Sequence, residues 1–143
     1  MLKQEKVDNL LKKVQKEGSE IDERIEQDGY ILSVKRHPMN LSLNGYIQNV
    51  DNEPFDESEK EIIHDIFHGG ITFRNKDNSK LGFSCTTARD ISPGVERDLL
   101  AMGLDVEEDN SIKRSYKSRE FVIRNLKRTV ERLKEENRKA WVF

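Results

Sequence analysis

The hydrophobic positions change from helical spacing at both ends of the chain to strand-like alternation in its middle. Near the N-terminus, apolar residues recur every three to four positions and predict an amphipathic helix over residues 2–17. Near the C-terminus, the same spacing predicts a long helix over residues 119–138, which Ser118 can cap. The two apolar stripes consist of Val7, Leu10, Leu11 and Val14, and of Val122, Leu126, Val130 and Leu133.

Between these helices, four segments are rich in β-favouring residues and predict strands. The last two flank a polar connection of six residues, which is typical of a hairpin. Short helices are predicted over residues 56–66 and 95–102. The sequence therefore predicts an α+β fold, in which a small, mostly antiparallel sheet packs against the long C-terminal helix. The predicted strands cover residues 30–34, 45–50, 71–74 and 81–85.

The first 28 residues are predicted to form a helical attachment. A second short helix is expected over residues 21–25, followed by a turn at Asp28-Gly29. We accordingly divide the chain into this attachment, residues 1–28, and a single α+β domain with its C-terminal helix, residues 29–143. The thin apolar stripe of the attachment suits an oligomer contact and a brace across the core equally well.

Composition narrows the class of protein. Of the 143 residues 36% are charged and only 34% are apolar, which predicts a small core and favours self-association as a further source of burial. The net charge of −2 gives no general affinity for nucleic acid. The single Cys85 cannot form an internal disulfide, which fits a reducing compartment, and no apolar run is long enough for a membrane span. We expect a cytoplasmic protein with no membrane contact and no sequence-specific nucleic-acid partner.

The near-neutral total conceals a segregation of charge. Residues 50–66 contain seven acidic side chains against one Lys, whereas residues 113–139 contain eleven Lys or Arg against four Glu. The basic segment can receive phosphates or an acidic partner, and the acidic segment can steer a basic one. The basic segment is also compatible with a solvated helix that carries local ion pairs.

The sequence gives little indication of a catalytic site. His64 and His68 have the i, i+4 spacing of metal ligands, but Gly69-Gly70 ends the helix at once and no third ligand is apparent. Cys85 would need a nearby base to act as a nucleophile. We therefore predict no catalytic residue, no metal and no cofactor.

Ligand binding accounts for more of the same residues. Tyr46, Phe73 and Phe83 can stack on a base if they face a pocket. Backbone amides at Gly69-Gly70 can bind phosphate or hydroxyl oxygens, and the guanidinium groups of arginines can bind phosphate. The candidate ligand-binding residues are Arg36, Asn44, Tyr46, His68, Gly69, Gly70, Thr72, Phe73, Phe83, Arg119 and Arg124.

Five short motifs follow one another in an order that resembles a family of small, mostly uncharacterised bacteriophage proteins. The resemblance extends over about residues 29–133. It implies a phage accessory factor that disarms bacterial immunity in the infected cell. The motifs are Arg36-His37-Pro38, Leu43-Asn44-Gly45-Tyr46-Ile47, His68-Gly69-Gly70-Ile71-Thr72-Phe73, Gly82-Phe83 and Phe121-Val122-Ile123.

The chain departs from that family where chemistry would be expected. Ser84 stands where the family pattern has Asp, and Thr87 stands where it has His, although Asp90 is kept. Glu53-Pro54 likewise replaces a His-Pro pair. The resemblance then implies that His68 has no partners for catalysis, and it favours binding over hydrolysis.

The leading hypothesis is a homo-oligomeric sponge that binds a nucleotide immune signal, of the cyclic oligonucleotide or cyclic ADP-ribose type, without cleaving it. A first alternative is an inhibitor that binds a bacterial defence protein or another host factor through the acidic segment. A second alternative is a nucleotide hydrolase, for which His68 would be required.

Overall fold

The computed structural model describes the backbone of residues 2–103 and 113–140, and the side chains of residues 4–103 and 113–137. Residues 104–112 and 141–143 of the predicted domain lie outside the described part. Within it the fold is α+β, as predicted, with an N-terminal and a C-terminal helix. The elements are α1 Leu2–Glu17, β1 Asp22–Gln27, β2 Tyr30–Arg36, β3 Leu43–Asn49, α2 Glu57–Ile66, β4 Phe73–Arg74, β5 Lys80–Ser84, α3 Pro93–Ala101 and α4 Arg119–Ala140.

The five strands form one sheet in the order β1-β2-β3-β5-β4, and every neighbouring pair is antiparallel. The helix predicted over residues 21–25 is wrong, because this segment belongs to β1. Ile21 and Ile25 have helical spacing, but Asp28 and Gly29 adopt φ values of 52° and 88°. Such a two-residue turn directs the flanking residues into antiparallel pairing. The sheet therefore begins at Asp22, inside the segment predicted to be helical.

One face of the sheet carries the hydrophobic core. Helix α4 packs against β2 and β3, and α2 packs against α4. The predicted stripe of α4 is confirmed, because Val122, Leu126, Val130 and Leu133 are all buried. The predicted cap is also confirmed, since Ser118 Oγ accepts a hydrogen bond of 3.3 Å from the backbone N–H of Phe121.

Helix α1 packs against α3 and buries Val7 and Val14. Its last residue, Glu17, accepts a hydrogen bond from the backbone N–H of Arg119 at 3.0 Å, at the start of α4. Thus a carboxylate from the N-terminal helix caps the N-terminus of α4, where its negative charge interacts favourably with the helix dipole. None of the helices that the structure describes is long and apolar enough to cross a membrane.

The opposite face of the sheet is open to solvent. Strand alternation and the pairing register place thirteen residues on it, and all of them except Gly82 are half-buried or exposed. We call this surface the open face. It consists of Asp22, Arg24, Glu26, Ile31, Ser33, Lys35, Asn44, Tyr46, Gln48, Phe73, Lys80, Gly82 and Ser84.

Candidate functional site

A single row of residues crosses the open face from one edge strand to the other. Arg24 lies opposite Ser33, Ser33 opposite Tyr46, Tyr46 opposite Gly82, and Gly82 opposite Phe73. The row therefore carries a guanidinium group at one end, two aromatic rings at the other and a glycine between the rings.

Tyr46 and Phe73 meet above Gly82. Their ring centroids are 5.3 Å apart and their planes are inclined by 89°, an edge-to-face contact. A Cβ atom at Gly82 would lie 2.5 Å from Cδ1 of Tyr46, so only glycine lets the ring lie directly on the backbone. Lys80 Nζ lies 4.9 Å from the Tyr46 ring centroid, within cation–π range. We call Tyr46, Phe73 and Lys80 the aromatic platform.

The aromatic platform has the chemistry needed to bind a planar anionic ligand. Phe73 is 42% exposed, which is high for a large apolar side chain, and its ring is available for stacking. Lys80, Lys35 and Arg24 supply positive charge on the same face. Asn44 lies opposite Ser84 beside the platform and adds polar groups for hydrogen bonding.

Four of the predicted site residues lie on or next to this surface. Asn44, Tyr46 and Phe73 share the open face, and Thr72 precedes Phe73 with its backbone N–H donating to Gly82 O at 2.9 Å. Sequence reasoning missed Lys80, although it stands two positions from Gly82 and period-two alternation puts both on one face.

Phe83 is not part of the site, and its predicted role in stacking is wrong. Its side chain is only 1% exposed and packs in the core against Phe67, with 4.8 Å between ring centroids. The physical reason is strand alternation, because Phe83 shares its face with Leu81 and Cys85 rather than with Gly82.

Arg36 is not available to a phosphate either. Its side chain is 0% exposed and donates hydrogen bonds to the carbonyl oxygens of Gly18 and Leu41, to the Glu17 carboxylate and to the Tyr116 hydroxyl. Burial and the Glu17 carboxylate raise the pKa of Tyr116. Arg36 thus holds α1, β2 and the segment before α4 together.

The two other predicted arginines lie on α4. Arg119 donates two hydrogen bonds to Glu23 on β1, at 2.7 and 2.6 Å, and this contact holds the pKa of Glu23 below its ordinary value. Arg124 is exposed and forms no ion pair with any described residue. The three arginines are therefore not gathered into one phosphate site.

The His64 side chain packs against the turn at Gly69-Gly70 and accepts a hydrogen bond from the residue that follows it. Gly69 and Gly70 adopt φ values of 72° and 81°, and His64 Nδ1 accepts a hydrogen bond of 2.9 Å from the backbone N–H of Ile71. A Cβ at Gly70 would lie 2.5 Å from Cε1 of His64. The Gly70 amide itself donates to Phe67 O at 2.8 Å, so it is not free for an anion.

The imidazole of His68 contacts Asp90, a pairing that the sequence did not predict. Its Nε2 lies 2.8 and 2.9 Å from the two carboxylate oxygens of Asp90, which also accepts from the backbone N–H of Thr87 and pairs with Lys117 Nζ at 3.1 Å. Burial opposes ionisation of Asp90, but these hydrogen bonds outweigh it and lower its pKa. The Phe121 ring packs edge-on against the imidazole, at 5.1 Å between centroids. Thr87 contributes to this cluster through its backbone N–H.

The other side chains considered as a nucleophile or as metal ligands are protonated and buried, or are bonded to other residues. Burial, with a smaller contribution from the Asp90 charge, raises the pKa of the Cys85 thiol to about 12, so it is protonated at neutral pH. No cluster of three metal-ligating side chains occurs among the described residues. His64 and His68 point to different partners, so their i, i+4 spacing does not assemble a metal site.

No family model, no curated protein and no solved structure matches the chain. The resemblance to the phage family therefore stays a prediction.

Proposed function

We propose that the protein binds a small nucleotide without cleaving it and that the base lies on the aromatic platform. The contact of Tyr46 with Phe73 above Gly82, beside the Lys80 ammonium group, carries this proposal. Stacking on an aromatic side chain contributes about 1–3 kcal/mol per base, which is enough to orient a ligand on an otherwise polar sheet.

Three basic side chains of the open face fit the remainder of such a ligand, although Asp22 and Glu26 lie on either side of Arg24 on β1. Lys80 lies next to the rings, and Lys35 and Arg24 lie one and two strands beyond Tyr46, where a phosphate can reach them. Neighbouring strands are about 4.8 Å apart, so Arg24 lies about 10 Å from Tyr46 across the sheet. This span suits a ligand with more than one phosphate or nucleoside.

The family resemblance suggests which nucleotides to test first. A phage protein that sequesters a cyclic oligonucleotide or cyclic ADP-ribose signal in the bacterial cytoplasm would suppress immune signalling by mass action. Binding without turnover is sufficient for that role, so none of its steps needs a catalytic group.

The test is a thermal-shift and retention screen with cyclic dinucleotides, cyclic trinucleotides and ADP-ribose isomers. At 100 times the dissociation constant, a bound nucleotide should stabilise the fold by about 2.7 kcal/mol and should be recovered unchanged after heating. Phe73→Ala and Lys80→Gln should each weaken binding at least about tenfold. Met102→Ala and Lys76→Gln, exposed residues outside the open face, should not. No shift with any nucleotide would reject the proposal.

A protein-binding inhibitor is the second candidate, and one observation favours it. Glu57, Glu61 and Asp65 are exposed at intervals of four residues and form an acidic stripe along α2. Asp56 and Glu59 are the capping box of this helix, so a charge test must leave them intact. Loss of a stoichiometric lysate partner on Glu57→Gln/Glu61→Gln/Asp65→Asn, with α2 still folded, would favour this function over nucleotide binding.

The nucleotide hydrolase remains a third candidate because Asp90 orients the His68 imidazole. Asp90 contacts Nε2 of His68, and a carboxylate that holds one imidazole nitrogen in this way orients the other to act as a general base. Incubation of each bound nucleotide with the protein, followed by mass spectrometry, distinguishes the outcomes. If the wild-type protein forms product and a His68→Ala variant that remains folded by circular dichroism does not, catalysis is established, whereas intact nucleotide would support sequestration.

A further inference from the structure

The outer edge of strand β1 pairs with no other strand that the structure describes. Ile21 O accepts from the backbone N–H of Arg36 at 2.8 Å, which fixes the residues of this strand that bond to β2. Because bonded residues alternate in an antiparallel pair, the main-chain groups of Asp22, Arg24 and Glu26 point away from β2. Among the described elements β1 pairs only with β2, and its six residues contain neither proline nor glycine.

We propose that this edge pairs antiparallel with β1 of a second copy of the chain. The two-fold axis would pass beside Ile25, so that Ile25 lies opposite the partner's Ile25. Arg24 then lies opposite the partner's Glu26, and Glu26 opposite the partner's Arg24. The interface is self-complementary, as a two-fold dimer requires.

Charge favours this register over the two adjacent ones. The main-chain groups that point outward must face each other, so the register can change only in steps of two residues. One adjacent register places Arg24 against the partner's Arg24 and Asp22 against the partner's Glu26, and the other places Glu26 against the partner's Glu26, so like charges repel in both. In the proposed register, Glu23 faces the partner's Gln27 on the core side and remains free to bond Arg119.

The dimer would join two five-stranded sheets into one of ten strands and place the two open faces side by side. Self-pairing also removes the exposed edge, which is otherwise a site of uncontrolled association. This inference goes beyond the proposed function and does not depend on the identity of any ligand.

The first test measures the dimer dissociation constant by sedimentation equilibrium. Arg24→Glu and Glu26→Arg should each raise it at least about tenfold, because each puts like charges opposite one another twice. An equimolar mixture of the two variants should restore dimers, since each then offers the charge that the other needs. Lys76→Glu, the same charge change in the exposed loop between β4 and β5 at the far edge of the sheet, is the control and should leave the constant unchanged. A wild-type chain that stays monomeric, or a dimer that neither reversal weakens, would overturn the proposal.

The second test fixes the register by cross-linking. Ile25→Cys should form an intermolecular disulfide under mild oxidation, because directly opposite residues lie about 4.5–5.5 Å apart. Gln27→Cys, on the same face of β1, should not, since it lies about 13 Å from the partner's Gln27. The native Cys85 is buried and does not contribute. Efficient cross-linking through Gln27→Cys but not Ile25→Cys would exclude this register.

Discussion

His68 Nε2 lies 2.8 and 2.9 Å from the two carboxylate oxygens of Asp90, whose side chain is completely buried. The contact joins the turn after α2 to the loop after β5, and Lys117 connects the same carboxylate to the segment before α4. The histidine of the Gly-Gly motif is therefore part of the connection between three segments that are distant in sequence.

Replacing His68 should destabilise the fold more than replacing its neighbour His64. His68→Ala leaves a buried carboxylate with Lys117 and one backbone donor, and it should lower the free energy of unfolding by about 3 kcal/mol. His64→Ala removes one exposed hydrogen bond to Ile71 and should cost about 1 kcal/mol. Urea unfolding measures both. Equal costs would mean that the bond to Asp90 contributes little.

Stability should fall in acid partly because of Asp90. Its folded pKa lies below its ordinary value of 3.8, so ionisation favours the folded state above about pH 4, and this contribution is lost as the pH falls through the folded pKa. Asp90→Asn should cost about 2 kcal/mol at pH 7 and progressively less below pH 4. Unfolding curves between pH 7 and 2 measure this, with Asp65→Asn as the exposed control. A cost that does not change with pH would contradict the assignment.

Cys85 should be unreactive in the folded protein. Its thiol pKa of about 12 leaves roughly one molecule in 10,000 ionised at pH 8, and burial further limits access by a reagent. Labelling with a disulfide reagent should be at least about 100-fold slower in buffer than in urea. Rapid, complete labelling of the native protein would show that this segment opens readily.

The helices and strands that could be predicted are those whose residue pattern lies within one short segment of the chain. The stripe of α4 follows from hydrophobic spacing, its cap from the serine at the helix start, and the hairpin from the polar connection over residues 75–80. The Asp28-Gly29 turn also contained the signal for β1, but the spacing of Ile21 and Ile25 favoured the competing helix.

The candidate site was only partly predictable, for two physical reasons. Period-two alternation places Asn44 and Tyr46 on one face of their strand and assigns Phe83 to the face of Leu81. The sequence alone could therefore have shown that Phe83 faces the core. The bond between His68 and Asp90 spans 22 residues and depends on how the loop after β5 packs. No spacing rule contains that information.

Two glycines with similar backbone angles offer a test of what the Gly-Gly turn requires. Gly29 and Gly70 have φ values of 88° and 81°, but a Cβ at Gly29 meets nothing within 4 Å, whereas one at Gly70 meets the His64 ring. Gly29→Ala should therefore cost only the conformational penalty, about 1–2 kcal/mol. Gly70→Ala should cost about 1 kcal/mol more, because it displaces His64 from Ile71.

A double-mutant cycle separates the two contributions at Gly70. In a His64→Ala background the ring and its hydrogen bond are already absent, so Gly70→Ala should cost only about as much as Gly29→Ala. The difference between the two backgrounds, measured by urea unfolding, is the energy with which His64 closes the turn. If the cost of Gly70→Ala were the same in both backgrounds, the turn would need glycine for its backbone angle alone, and His64 would have no part in shaping it.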